Sequence, residues 1–166
     1  MIEPKDYISK ERGPNRDSSA LDSLRRLCAS KEMCSADIRK KLERMGVEED
    51  KQLDILKCLI DEKFFDDSRY SQAFVKDKSR LAGWGTIKIR HALRSKGISE
   101  ETIISALEGI DRDEEGERLH KILHQKFKSY KKGDDKEKNL GRLIRFALSR
   151  GFDYEMSIRV SKEIIG

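Results

Sequence analysis

The chain has 166 residues, enough to bury a core without disulfides, and 40% of them are charged against 36% hydrophobic, with only two prolines. No apolar run approaches the roughly 20 residues that span a bilayer, and three cysteines, an odd number with no secretory leader, point to a reducing, cytoplasmic setting. The net charge of +5 is unevenly spread: residues 1–66 carry −1, 67–98 carry +6, 99–117 carry −7 and 118–150 carry +8. Two basic blocks around an acidic one suit a polyanionic or mixed-charge partner, with an ordinary solvated helical surface as the plainer alternative.

In chain order, residues 1–17 read as a flexible polar tail, because they hold both prolines and lack helical periodicity. Residues 18–66 read as a first helical repeat with three apolar stripes at helical spacing: Leu21, Leu24, Leu27 and Cys28; Ile38, Leu42 and Met45; Leu53, Leu56, Ile60 and Phe64. Residues 67–110 form a second repeat through Tyr70, Ala73, Phe74 and Leu81, then Ile89 and Leu93, then Ile103, Leu107 and Ile110. Residues 111–166 form a third through Leu119, Leu123, Phe127 and Tyr130, then Ile144 and Leu148, then Met156, Val160 and Ile164. The middle helix of each repeat carries Ile-Arg-x-x-Leu and then a glycine; Gly46, Gly97 and Gly151 stand 51 and 54 residues apart, where a helix C-terminus needs positive φ. The third copy is one residue shorter between its leucine and its glycine. No stretch alternates in the manner of a hairpin. The expected fold is therefore all-α, with three tandem three-helix repeats stacked into an elongated, curved rod.

Several clusters invite a chemical reading. Asp66 and Asp67 fall between the stripe ending at Phe64 and the one starting at Tyr70, where an aspartate caps a helix and favours the positive end of its dipole. Adjacent carboxylates there point in different directions, so a structural role is expected rather than metal binding or catalysis. Ser99 before Glu100 and Glu101 is another helix start, Cys34 and Gly85 stand at N-cap positions, and Trp84 reads as core or as an exposed anchor. His120 and His124 have zinc-compatible spacing but neither a third ligand nor an intervening glutamate base. The glycines form no phosphate-cradling loop, and no set of nucleophile, base and orienter emerges. No catalytic residue, metal site or cofactor is expected.

The stretch from Phe64 to Ser99, with its acidic pair, Arg69-Tyr70, Ala73-Phe74-Val75 and the glycine preceding Ile89-x-x-x-Leu93-x-x-Lys96-Gly97-Ile98, resembles the RecX family. "SADIRKKLERMG" before it and "LIRFALSRGFDYEMSIRV" after it extend the likeness from about residue 20 to the C-terminus. Ser71 stands where that family usually has alanine and Cys34 where it often has serine. The resemblance implies a non-catalytic, monomeric regulator that binds the RecA filament on single-stranded DNA in its groove. It further implies inhibition of RecA's ATP hydrolysis, strand exchange and coprotease activity, and so restraint of recombinational repair and the SOS response. Candidate contacts to RecA or DNA are Arg69, Lys76, Lys78, Arg80, Lys88, Arg90, Arg94 and Lys96 in the first basic block, and Arg142, Arg145 and Arg150 in the second. Asp66, Asp67, Tyr70, Phe74, Gly46, Gly97 and Gly151 form the structural motif. Single-stranded DNA is reached directly or through RecA, and no membrane is involved. The alternative is a helical-repeat nucleic-acid-binding module with no specific protein partner.

Overall fold

The computed structural model describes residues 15–130, 133 and 135–166, and among them there are nine α-helices and no strand. These are α1 (Asn15–Ser30), α2 (Ser35–Arg44), α3 (Glu49–Asp61), α4 (Asp67–Arg80), α5 (Thr86–Ser95), α6 (Glu100–Leu107), α7 (Arg112–Lys128), α8 (Lys136–Arg150) and α9 (Tyr154–Ile165). The first helix begins within the stretch read as a tail, so residues 15–17 are helical, while residues 1–14 lie outside the described residues. No described helix is long and apolar enough to cross a membrane. The helices fall into two compact units, α1–α3 ending at Phe65 and α4–α9 within Asp66–Gly166.

In the first unit, α1 and α2 each pack against α3, burying Ala20, Leu24, Cys28, Ile38, Leu42, Ile55, Leu56 and Leu59 together with Val47 and Phe65. The stripe expected on α3 is rotated, because Leu53 and Ile60 are about half exposed (47% and 54%) and Ile55 and Leu59 take the inner face. Arg25 ties α1 to the end of α3 by donating to both Glu62 carboxylate oxygens, which holds Glu62 below the usual carboxylate range.

The second unit contains two sets of three helices. α5 and α6 pack on α4 and on each other, and α7, α8 and α9 all pack mutually. The latter set encloses Leu119, Leu123, Leu143, Ala147, Phe152, Met156 and Val160. Two further stripes differ from expectation. On α4 the inward positions are Ser71, Val75 and Ser79, while Tyr70, Ala73 and Phe74 are half-buried and Leu81 is 84% exposed. Serine reaches the interior there because its hydroxyl returns a hydrogen bond to its own helix: Ser71 Oγ donates to the Asp67 carbonyl at 2.6 Å and Ser79 Oγ to the Lys76 carbonyl at 3.3 Å. The same device buries Ser157 in α9, whose hydroxyl donates to the Asp153 carbonyl at 2.6 Å. On α8 the buried pair is Leu143 and Ala147, not Ile144 and Leu148.

That last shift restores the symmetry of the repeat. In all three copies the buried pair stands eight and four residues before the glycine: Ile38 and Leu42, Ile89 and Leu93, Leu143 and Ala147. The glycines have φ of 73°, 72° and 87°. Each is followed by a buried apolar residue, Val47, Ile98 or Phe152, whose N–H donates five residues back, to the Leu42, Leu93 or Ala147 carbonyl at 3.1, 3.2 and 3.3 Å. Each glycine N–H donates three residues back. This is the Schellman ending three times over, so the register is set from the glycine and the one-residue deletion falls outside the buried pattern.

Helix starts are equally regular. Asp66, Asp111, Asp135 and Asp153 cap α4, α7, α8 and α9 by accepting from first-turn N–H groups, and Ser99 caps α6. Asp66 Oδ1 takes Ser68 N at 2.7 Å and Arg69 N at 3.0 Å, so the acidic pair starts a helix. Cys34 and Gly85 stand at N-caps without a side-chain cap bond. Asp66→Ala is expected to cost about 1 kcal/mol in urea unfolding while Asp66→Asn stays near wild type, since asparagine accepts the same bonds. Equal losses in the two variants would assign the carboxylate charge, rather than the cap, the structural role.

Candidate interaction surface

The two three-helix sets of the second unit meet end to end at two glycines. Gly85 N donates to the Arg150 carbonyl at 2.9 Å and Ile87 N to the Gly151 carbonyl at 3.0 Å, so orphan donors at the start of α5 satisfy orphan acceptors at the end of α8. Thr86 N, the third donor, is taken by Glu115 Oε1 at 2.9 Å, from a carboxylate buried in the first turn of α7. Neither glycine has room for a Cβ: one on Gly85 would collide with the Gly151 carbonyl, and one on Gly151 with Lys88. This seam fixes the side chains around it in place. Lys88 Nζ reaches the Ser149 carbonyl at 3.4 Å, and Arg150 Nη1 donates to the Ala82 carbonyl at 3.0 Å.

Beside the seam the half-buried rings of Tyr70, Phe74 and Trp84 form a row, with centroids 5.8 and 6.4 Å apart. Lysine ammonium groups lie over every one of them. Lys96 stands 5.6 Å from the Tyr70 ring, Lys78 stands 5.3 Å from Phe74 and 5.2 Å from Trp84, and Lys88 stands 4.7 Å from Trp84. Trp84 is thus neither plain core nor a bare anchor, but the ring on which two lysines converge. A second, similar group occurs in the last three helices. Phe127 and Tyr130 meet edge to face at 5.9 Å, Lys126 lies 5.2 Å from the Phe146 ring and 6.0 Å from Tyr130, Arg142 lies 5.6 Å from Tyr130, and Arg150 lies 5.2 Å from Phe146. Cations held over rings keep their charge while losing little further side-chain freedom on binding, which favours anionic partners.

The expected basic residues therefore divide. Lys78, Lys88 and Lys96 gather on the first row, and Arg142 and Arg150 on the second group. Arg69 lies exposed in the first turn of α4, Lys76 and Arg80 lie exposed towards its end, and Arg145 is exposed on α8 near Arg142. Arg90 and Arg94 behave differently: both donate to the Glu100 carboxylate, Arg94 Nε at 2.7 Å. The Arg94 hydrogen bond, followed by Coulombic attraction to both arginines, holds Glu100 below its ordinary range. The two arginines fasten α5 to α6 with much of their charge offset. Reversing Lys88, Arg90, Arg94 and Lys96 together, a change that the polar face of α5 suggests would leave the fold intact, would replace this pairing with a cluster of carboxylates.

Lys126 and Phe146 were not legible as partners, and Tyr130 read only as core, because the residues that meet come from α7 and α8, separated in sequence and joined only by packing. His120 and His124 stack at 6.2 Å, and among the described residues no three His, Cys, Asp or Glu side chains are placed to hold a metal.

Sequence models of the RecX second and third three-helix domains match residues 66–107 and 113–160. The regulatory protein RecX of Clostridium perfringens (strain 13 / Type A) is 35% identical over 120 residues, 72% of this chain and 56% of that protein. The regulatory protein RecX of Clostridium botulinum (strain Eklund 17B / Type B) is 36% identical over 129 residues, 77% of this chain and 60% of that protein. The chain thus matches less than two thirds of the length of these relatives. A crystal structure of regulatory protein RecX superposes with a TM-score of 0.80 at 22% identity, covering 89% of this chain and 72% of that one. RecX from Lactobacillus salivarius superposes with a TM-score of 0.79 at 19% identity, covering 90% and 97%. These two likenesses concern the fold alone.

Proposed function

The chain belongs to the RecX family, and on that premise we propose that it regulates RecA by binding the RecA filament on single-stranded DNA within its groove. It acts by occupancy rather than by chemistry, lowering RecA's ATP hydrolysis, strand exchange and coprotease activity, and so restraining recombinational repair and the SOS response in the cytoplasm. The observation that carries this reading is the joint match of the second and third three-helix domains, which together hold both cation-and-ring groups. Within them Lys78, Lys88, Lys96, Arg142 and Arg150 are the proposed first contacts, with Arg69, Lys76, Arg80 and Arg145 adding long-range attraction. Arg90 and Arg94 are proposed as support.

One observation favours a second reading. A row of three rings flanked by lysines is the composition on which single-stranded nucleic acids stack, so a direct grip on the DNA strand, without RecA, is compatible with the same surface. Adding the protein to RecA on single-stranded DNA separates the two. Under the RecA reading ATP hydrolysis falls saturably and the protein prefers the filament to bare strand. An unchanged hydrolysis rate at saturating protein, with equal affinity for strand and filament, rejects it in favour of the nucleic-acid module.

A further inference from the structure

Between the end of α4, α7 and the end of α8 lies a recess of about 420 Å³ that shares only Arg150 with the ring groups. Its walls bring together Arg80, Arg118, Lys121 and Arg150 with the apolar side chains of Leu81 and Ile122, and no carboxylate lines it. Arg118 is the notable member. Its side chain is only one-fifth exposed, at 20%, and Nε and Nη2 are buried with no hydrogen-bond partner. Its remaining nitrogen stands 3.8 Å from the Glu114 carboxylate, beyond hydrogen-bonding distance. Two buried guanidinium nitrogens without an acceptor are costly, so Arg118 holds an uncompensated positive charge at the wall of a recess that Arg80, Lys121 and Arg150 also line, and that charge favours an oxyanion there.

The charge balance sets the kind of oxyanion. Four cations, of which only Arg118 has a carboxylate nearby, Glu114 at 3.8 Å outside the recess, are matched better by a dianion than by one carboxylate or one backbone phosphodiester, each of which brings a single negative charge. A second recess of about 520 Å³ shares Lys121, Ile122 and Arg150 with the first and continues to Phe146 and Lys126. Both volumes are in the range of small-molecule sites. The first recess offers guanidinium donors to a terminal phosphate, and the second offers a heterocyclic ring the side chain of Ile122 and the Phe146 ring with Lys126 and Arg150 lying over it. Arg150, held by its bond to the Ala82 carbonyl and lying over the Phe146 ring, stands at the junction.

We infer that this recess is a binding site for a nucleoside phosphomonoester, its phosphate on Arg118 and its base towards Phe146. The ligand is either a free nucleotide or the phosphorylated end of a strand. The site goes beyond the regulatory reading and, although it shares Arg80 and Arg150 with the surface proposed there, its test uses no RecA, so failure of one reading is distinguishable from failure of the other.

Calorimetric titration of the full chain at low salt tests it, with thymidine 5′-monophosphate, thymidine, and short oligothymidylates with and without a 5′-phosphate. Thymidine monophosphate is expected to bind saturably and thymidine at least about tenfold more weakly, as loss of charge-assisted bonds demands. Arg118→Met is expected to weaken monophosphate binding by about tenfold or more while leaving the unliganded melting temperature unchanged or higher, because it removes an unsatisfied buried charge. Arg80→Gln, an exposed change that keeps the fold, is expected to weaken binding more modestly, and Lys162→Gln, outside the recess, not at all. Phosphate-dependent preference for the oligomer would identify a strand end as the ligand; preference for the free monophosphate would identify a nucleotide. Absence of saturable monophosphate binding, or binding that Arg118→Met and Arg80→Gln leave untouched, overturns the inference.

Discussion

Gly151→Ala is expected to destabilise the second unit by about 4 kcal/mol, a large part of the roughly 5–15 kcal/mol that holds an average domain folded. The left-handed backbone at this position, φ 87°, costs a residue with a Cβ about 1–2 kcal/mol by itself. The new methyl group would also lie nearer than 3.0 Å to Lys88 Cβ, N and Cα, atoms of the α5 backbone and its root, which cannot rotate away. α5 would have to retreat, lengthening the bonds from Gly85 and Ile87 to the end of α8, each worth about 1 kcal/mol. Gly97 has a similar φ of 72° but open space where its Cβ would fall, so Gly97→Ala carries only the conformational cost, about 1 kcal/mol. Thermal unfolding should therefore separate two substitutions that look equivalent in the repeat, with the Gly151 variant melting on the order of 10 °C or more below the Gly97 variant. Equal melting temperatures would show that the seam between α5 and α8 gives way at little cost.

The contrast also marks what the sequence could and could not disclose. The three glycines were legible because each ends a helix locally, a matter of backbone conformation within a few residues. The seam was not, since nothing in "AGWGTIK" announces that its glycine meets Gly151 backbone to backbone. An aliphatic stripe such as Ile89 with Leu93 matches the structure, whereas the one on α3 is rotated, with Ile55 and Leu59 inside in place of Leu53 and Ile60. Those completed by Ser71, Ser79 or Ala147 were read one or more positions away, because hydropathy scores a serine as outward whereas a hydroxyl bonded to its own helix packs as a small residue. Charge totals likewise located the two basic blocks but could not sort them. Arg90 and Lys88 lie two residues apart, yet one is bound to Glu100 and the other lies over Trp84. Nothing in the sequence around Arg118 distinguishes it, because its companions Arg80 and Arg150 lie on other helices.

If the chain inhibits RecA as proposed, replacing Lys78, Lys88 and Lys96 together with glutamine should weaken that inhibition by about thirtyfold, the equivalent of roughly 2 kcal/mol from three charge pairings. The lysines lie over rings in the free protein, at 4.7 to 5.6 Å, so the side chains are already ordered and a partner's anions meet them with little further loss of freedom. Glutamine keeps most of each stem against its ring, and the fold should be retained to within about 1 kcal/mol. The Arg90→Gln and Arg94→Gln pair should show the reverse balance. It removes the Glu100 bonds that help fasten α5 to α6 and so lowers stability, but it removes less usable charge, because Glu100 already offsets it. If the lysines meet phosphates, their replacement should also flatten the dependence of binding on salt, by about one unit of slope for each phosphate no longer neutralised. If they meet RecA's own carboxylates, the on-rate should fall and the slope change less steeply. Inhibition that survives the three lysine changes but fails with the two arginine changes, at matched folded fraction, would move the binding surface from the row of rings to the α5–α6 face.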